Sequence, residues 1–389
     1  MKIITQIARV LVGLLFIFSG FIKANDPIGF SYKLDEYFSV FGEHIWGPLA
    51  WFENISVFLA VFITGLEILQ GLLLLSGSKI KWNSWALLAL IVFFTFLTFY
   101  SAYTGYIKEC GCFGDVIPLK AWQSFYKDLI LLVLILIILI GKKHIHPLVK
   151  KPRPDAILVL MLTLISFSIP VYAYNYLPII DFGEFAPGKS VITQRKFYFS
   201  DLKEKEKNAK FVYKNLATGQ NEEYPLEVIM KKMELYDETK YKFIDKYVPG
   251  LDTTKLLPLS VAIDFRDQDD GDHTEEFLTM PGYHFVLIST HLELIKDKQM
   301  NKVRDFAQLA ETNKVSFVGL TSSEWSTIDM FRHDNQLAFD FYRCIDDTPL
   351  KGAIRSNPGL ILFKDSVIVK KWHYNAFPSF NDVKEQYMK

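Results

Sequence analysis

The chain has almost no net charge to use: 43 Lys and Arg balance 43 Asp and Glu over 389 residues. Nucleic-acid binders need a basic excess to neutralise phosphates, so that class is excluded as a first reading. No Gly-rich loop of the phosphate-cradling kind precedes a helix, and nothing points to a bound nucleotide. Cysteine is scarce, with three in all. Two of the three nevertheless lie one residue apart, in Cys110-Gly111-Cys112-Phe113-Gly114-Asp115.

What the chain has in quantity is apolar length. Half its residues are hydrophobic and 33 are Phe. The segments 5–24, 54–75, 82–106, 122–140 and 155–177 are almost wholly apolar. Each approaches the roughly 20 residues that carry a helix across a bilayer. They lack the alternating polarity of barrel strands, and backbone groups in hydrocarbon must be paired, so five transmembrane helices are predicted. Lys2 and Arg9, Lys79 and Lys81, and Lys142, Lys143, Lys150, Lys151 and Arg153 all fall at alternate ends. The positive-inside rule therefore puts the N-terminus in the cytoplasm of a bacterial inner membrane. The loop with Cys110 and Cys112, and everything after residue 177, then face the oxidising periplasm. The polar Lys23-Ala24-Asn25-Asp26 offers no clear small-residue cleavage site, so the first span is read as retained.

Paired thiols in a loop that also holds Lys108, Glu109, Asp115 and Lys120 are not core filling. Three chemistries remain open: redox exchange, a static clip, or capture of a soft metal such as Cu(I). The last lacks further ligands, since no His or Met lies in the loop. A ring closed over one intervening residue is small and strained, which favours reduction and exchange. In that mechanism a mixed disulfide forms on one sulfur and the other resolves it. Glu67 is an ionisable group inside a span, at an insertion cost of roughly 2.5–3.5 kcal/mol, and must be paired, protonated or turned inward. Arg9, near the cytoplasmic end of the first span, has a side chain long enough to reach toward it. A proton or quinone site and a purely structural pair are both open for it. Lys23, Lys127 and Asp128 are expected around the cysteine loop, where a positive charge would lower a thiol pKa.

Several of these residues also carry a resemblance. Phe18-Ser19-Gly20-Phe21-Ile22-Lys23 with Pro27, Gly65-Leu66-Glu67 with Gly71 and Gly77, and Cys110-Gly111-Cys112-Phe113-Gly114 after a third span resemble the DoxX/MauE group of four-helix membrane proteins. The likeness covers residues 1–141. It implies a role in electron or disulfide traffic, or in maturing an envelope redox protein. A relay would need a periplasmic protein as client or redox partner and a carrier such as quinone to take its electrons.

The expected organisation is this bundle (1–141), a basic loop and fifth span (142–177), a strand-rich periplasmic linker domain (178–255) and an α/β domain (256–389). In the last, strands are read at 283–289, 315–320, 337–342, 360–363 and 367–371, with helices at 292–313, 323–333 and from 379. That order, with Asn357-Pro358-Gly359 before a strand and a hairpin, resembles the thioredoxin-like superfamily. The resemblance implies a cis bond before Pro358. The family's Cys-x-x-Cys position holds Thr290-His291-Leu292-Glu293 instead, so ordinary thioredoxin chemistry is not expected there. Cys344, the third thiol, is either a buried apolar group or a partner for exchange. The functional reading is a thiol–disulfide relay on Cys110 and Cys112. Its alternative is a non-catalytic scaffold whose C-terminal domain binds partner proteins.

Overall fold

The computed structural model describes residues 1–107, 119–229, 231–232, 235, 237, 239–249, 257–295 and 297–389. Five long apolar helices dominate its first half. They are α1 (Lys2–Asn25), α3 (Ser56–Ser76, continuing a 3-10 segment Gly47–Ile55), α4 (Ile80–Thr104), α5 (Ala121–Gly141) and α6 (Pro152–Asn175). Between the first two spans lies α2 (Pro27–His44), which is less apolar and not itself of spanning character. The five spans expected from hydropathy are therefore all present as helices.

The helices run alternately up and down. At one end Gln6 donates to the His144 carbonyl (2.9 Å), Leu148 N–H to the Ser76 carbonyl (2.9 Å), and Lys79 pairs with Asp155 (3.3 Å). At the other end, called here the Asn25 end, lie α2 and the helix termini at Asn25, Thr104, Ala121 and Asn175. Helices α1, α3, α4 and α5 form the bundle, whose core includes Ala8, Val12, Phe16, Leu74, Leu87, Ile91, Leu131, Ile135 and Ile138. Helix α6 packs outside it, against α3 and α1.

The α1–α3 contact is unusually close because small residues line it. A Cβ on Gly71 would stand 2.8 Å from the Gly13 carbonyl oxygen and 3.0 Å from Ile17 N, both backbone atoms. Glycine is what allows two backbones this near, and in lipid such packing substitutes for a hydrophobic drive between helices.

Beyond α6 the chain forms α7 (Val191–Glu206) and a small antiparallel sheet of β1 (Lys210–Asn215), β2 (Asn221–Pro225) and β3 (Tyr241–Tyr247), in the order β2-β1-β3, with α8 (Leu226–Ile229) between β2 and β3. The strands of 178–255 were expected; the sixteen-residue α7 was not. Its apolar residues do not line up as one stripe, and Val191 is its only fully buried residue. It is held instead by polar bonds at its start. Ser190 caps it, and Arg195 donates to the carbonyls of Ser260, Val261 and Ile263 at 2.6–3.2 Å.

The rest carries α9 (Leu259–Ala262), α10 (Thr274–Thr279), β4 (Tyr283–Ser289), α11 (Asp297–Thr312), β5 (Ser316–Thr321), α12 (Trp325–Asp334), β6 (Phe341–Arg343), α13 (Thr348–Ala353), β7 (Gly359–Lys364), β8 (Val367–His373) and α14 (Phe380–Tyr387). One five-stranded sheet runs β6-β5-β4-β7-β8. Its β6-β5-β4 part is parallel, and β7 and β8 are antiparallel to it. Phe285, Leu287, Phe306, Leu360 and Phe380 pack on one side, and Ile263, Phe265, Val286, Ile288 and Ile361 on the other. Phe185 and Val191 belong to the second of these cores, so the chain joins this sheet well before α9. The third strand is shorter than 337–342, because Gln336 takes a left-handed φ of 52° and Leu337 N–H still bonds back to Arg332. The Asn357-Pro358 bond is cis.

Two buried histidines give this half a pH dependence. Burial pushes His284, stacked on Phe363 at 5.1 Å, down to about 4, and does the same to His373. Between the ordinary histidine value and about pH 4 the unfolded chain binds protons that the folded one refuses. Stability therefore falls as pH drops through that window and, from these residues, levels off below it. At pH 5 the loss through His284 alone is about 2 kcal/mol. Denaturant unfolding at pH 7 and pH 5 should show this difference, and His284→Phe should shrink it. An unchanged difference in that variant would assign the effect elsewhere.

Candidate functional site at the Asn25 end of the bundle

Hydrocarbon leaves no water to satisfy polar side chains, so each one buried among the spans must find a partner in the protein. Lys23, two residues from the end of α1, turns back into the bundle and meets Glu67 of α3, with Nζ 2.5 Å from Oε2 and both side chains 4% exposed. Gly20 makes room for the pair, since its backbone lies against Ile68 and Glu67. Glu67 thus sits roughly 7–8 Å below the end of α1, five residues at the helical rise. The Lys23 ammonium also lies 4.4 Å from the Phe94 ring centre and 5.5 Å from that of Phe30. A cation over aromatic faces gains further stabilisation once desolvated.

A second pair, Lys127–Asp128, lies on α5 and takes a hydrogen bond from α4. Asp128 is 1% exposed and takes a hydrogen bond from Thr98 Oγ1 (3.0 Å) on one oxygen and the Lys127 ammonium (3.0 Å) on the other. A recess links the two pairs. It is lined by Lys23 of α1, by Phe30, Lys33, Leu34 and Tyr37 of α2, and by Phe94, Leu97 and Thr98 of α4. Helix α2 is its roof.

Of the expected site residues, Lys23, Glu67 and Asp128 are brought together here. Arg9 is not. The expected reach of Arg9 toward Glu67 is corrected by the structure: its Nε and Nη2 donate to the carbonyls of Leu74 (2.8 Å) and Leu75 (2.5 Å), at the far end of α3 from Lys23. The antiparallel pairing of α1 and α3 decides this, because it sets residue 9 beside 74–75 and residue 20 beside 67–68. Thr98, Phe94 and the α2 residues escaped sequence reasoning. A hydroxyl in an apolar helix usually bonds its own backbone, as Thr98 also does with the Phe94 carbonyl, and carries no further signal.

Cys110 and Cys112 lie outside the described residues. Their flanks are described. Ile107 is buried with Tyr37, Phe41 and Leu97, Ser101 Oγ donates to its carbonyl (2.7 Å), and Tyr106 stacks on His44 at 4.3 Å. On the other flank Lys120 N–H donates to Gln123 Oε1 (3.0 Å) at the start of α5.

Cys344 follows β6 and is fully buried. Burial, and then its bond to Asp264, push its thiol well above the ordinary range, so the thiolate that exchange requires is strongly disfavoured. Around 290–293 the loops are tied by hydrogen bonds. Ser289 Oγ donates to Asn357 Oδ1 (2.6 Å), Asn357 Nδ2 to the His291 carbonyl (2.9 Å) and Leu292 N–H to Ser323 Oγ (3.0 Å). His291 lies 3.6 Å from Asp347 and 3.5 Å from Glu293. Among the described residues no group of His, Cys, Asp and Glu is arranged to hold a metal ion.

The C-terminal half is fastened to the Asn25 end. Asn25 Nδ2 donates to the Ile180 carbonyl (2.7 Å) and its Oδ1 accepts from Ile180 N–H (2.9 Å). Asn375 donates to the Asn175 carbonyl (2.7 Å), Lys371 pairs with Asp181, and Arg355 pairs with Asp26 (2.8 Å).

Residues 1–141 match the family model described as methylamine utilisation protein MauE. No curated protein and no solved structure gives a significant match.

Proposed function

We propose that this MauE-like membrane chain works in thiol–disulfide relay, or in maturing envelope redox proteins, at the periplasmic face of a bacterial inner membrane. The observation that carries the reading is the convergence at one end of the bundle. Both flanks of the Cys-Gly-Cys segment, the Thr98–Asp128–Lys127 cluster and the docked C-terminal half all meet there. The lysine distribution supports placing this end outside the cytoplasm.

In the proposed exchange a client thiolate attacks one sulfur of the Cys110–Cys112 disulfide, and the other sulfur leaves as a thiolate. The client's second thiol then displaces the bound cysteine. The client gains a disulfide, and Cys110 and Cys112 become thiols. A lipid-soluble quinone can restore them by taking two electrons and two protons to give a quinol. The strand order β6-β5-β4-β7-β8 supports reading the C-terminal half as thioredoxin-like, and its tied, cysteine-free loops at 290–293 favour holding a client over oxidising it.

Cys110→Ser and Cys112→Ser test the reading in native membranes. One of the two should accumulate a reductant-sensitive adduct with another protein, absent from the double variant. Neither forming an adduct, with a wild-type pair potential below about −300 mV, would make the pair a structural clip and leave the scaffold reading.

A further inference from the structure

Glu67 has a polar neighbour that the ion pair does not use. Gln70 lies one turn along α3 on the same face, about 4.5 Å farther from the Asn25 end at the helical rise, and is 2% exposed. Neither its Oε1 nor its Nε2 has a hydrogen-bond partner among the described residues. Across from it Asn83 of α4, 4% exposed, donates from Nδ2 to the Gln70 carbonyl at 3.0 Å. That bond ties the two helices through the Gln70 backbone and leaves its side-chain amide unused. Asn83 stands three residues inside the start of α4, about 5 Å from the end of the bundle where Gln6 and Lys79 lie.

The two sides of Glu67 differ in kind. Toward the Asn25 end stands the Lys23 ammonium beside the Phe30 and Phe94 rings, in a recess that Leu34 and Leu97 also line. A fixed cation repels an excess proton, and rings and aliphatic chains offer water few hydrogen bonds. Toward the other end stand the two amides. A leucine at position 70 would fill the space without stranding a donor and an acceptor among the helices, so what the amide adds is a place for water. The charges that face Glu67 from the helices packed on α3 are few. α1 offers Lys23, while Arg9 is committed at the far end of α3, and α4 and α6 carry none beyond Lys81 and Asp155. On α2, Lys33 lines the recess and Asp35 bonds Ser56 at the outer start of α3.

We propose that Gln70 holds water that carries protons between Glu67 and the end of the bundle at Gln6. Glu67 is then a proton-exchange site open to the Gln6 face and closed toward the Asn25 face. A hydronium ion reaching it gives its proton to the carboxylate and leaves as water. The carboxyl becomes neutral, and the Lys23 ammonium keeps its charge beside the Phe94 ring. The route contains no cysteine, so it stands or falls apart from the relay.

The test uses the full chain in sealed membrane vesicles of both orientations. A lipid-soluble carbodiimide, which adds to a protonated carboxyl, is applied, and mass spectrometry reads the adduct on Glu67. Acidifying the Gln6 face alone by about two pH units should raise the adduct at least about fivefold, and acidifying the Asn25 face alone should leave it unchanged. Gln70→Leu should hold the rise within about twofold, and Gln70→Asn, which keeps the amide, should restore part of it. Should Gln70→Leu lose the wild-type melt in detergent, Gln70→Met, closer to glutamine in shape, takes its place. A rise driven from the Asn25 face, a rise from neither face, or an undiminished rise in the folded leucine or methionine variant would overturn the route.

Discussion

Lys23→Met should lower the unfolding free energy of the bundle by about 3–5 kcal/mol, the loss typical when one partner of a buried ion pair is removed. Glu67 lies roughly 7–8 Å inside the bundle and, once alone, must either stay charged in a medium that cannot solvate it or take up a proton. The Phe94 and Phe30 rings that surround the ammonium offer a lone carboxylate nothing, because they present their negative faces to it. Glu67→Leu alone should also destabilise, by stranding Lys23, though less, since a lysine two residues from the end of α1 can straighten toward water. The double variant Lys23→Met with Glu67→Leu should recover most of the loss, because an apolar pair of similar volume carries no desolvation cost. Thermal unfolding of the four proteins in detergent forms the cycle. A Lys23→Met protein as stable as wild type would mean that Glu67 is held by other groups.

The second large effect is steric. Gly71→Val places a branched side chain where a Cβ alone already meets the Gly13 carbonyl oxygen at 2.8 Å and Ile17 N at 3.0 Å. Neither obstacle is the flexible end of a side chain, so α1 and α3 must move apart along their length. Overpacking typically costs 1–3 kcal/mol, and about 3 kcal/mol or more is expected here because two backbones resist. The displacement also draws Glu67, one turn away on α3, from Lys23. Gly71→Ala should show a smaller version of the same loss. Melting temperature and the yield of folded protein in detergent report both, and a Gly71→Val protein that melts with wild type would mean that the two helices lie farther apart than described.

Much of this chain was legible as sequence wherever one physical rule acts over many residues. The five spans follow from apolar runs that only a helix can satisfy in lipid, and all five are helices. Most strands of the C-terminal sheet show as short β-branched and aromatic runs between turn residues, and they form close to the expected positions. Glu67 stood out because a lone acid in such a run is costly anywhere it points. What failed had weaker local signals. Helix α7 buries one residue and hides among charges, and β6 loses half its expected length to the left-handed turn at Gln336.

The choice of partner lies beyond any local signal. Composition demands that Glu67 be paired, protonated or turned inward but cannot say which cation would pair with it, because Arg9 and Lys23 are on the same helix. The antiparallel setting of α1 on α3, with glycines bringing their backbones together, gives it Lys23 and sends Arg9 to the Leu74 and Leu75 carbonyls. Arg355 and Asp26 are 329 residues apart and each reads as an ordinary surface charge. By itself the sequence determined that the chain enters a membrane, how many times it can cross, and where its paired cysteines lie, because those follow from summed hydrophobicity and residue identity. Only the tertiary structure decided which charges meet and what roofs them, because those depend on how far apart and at what angle the helices pack.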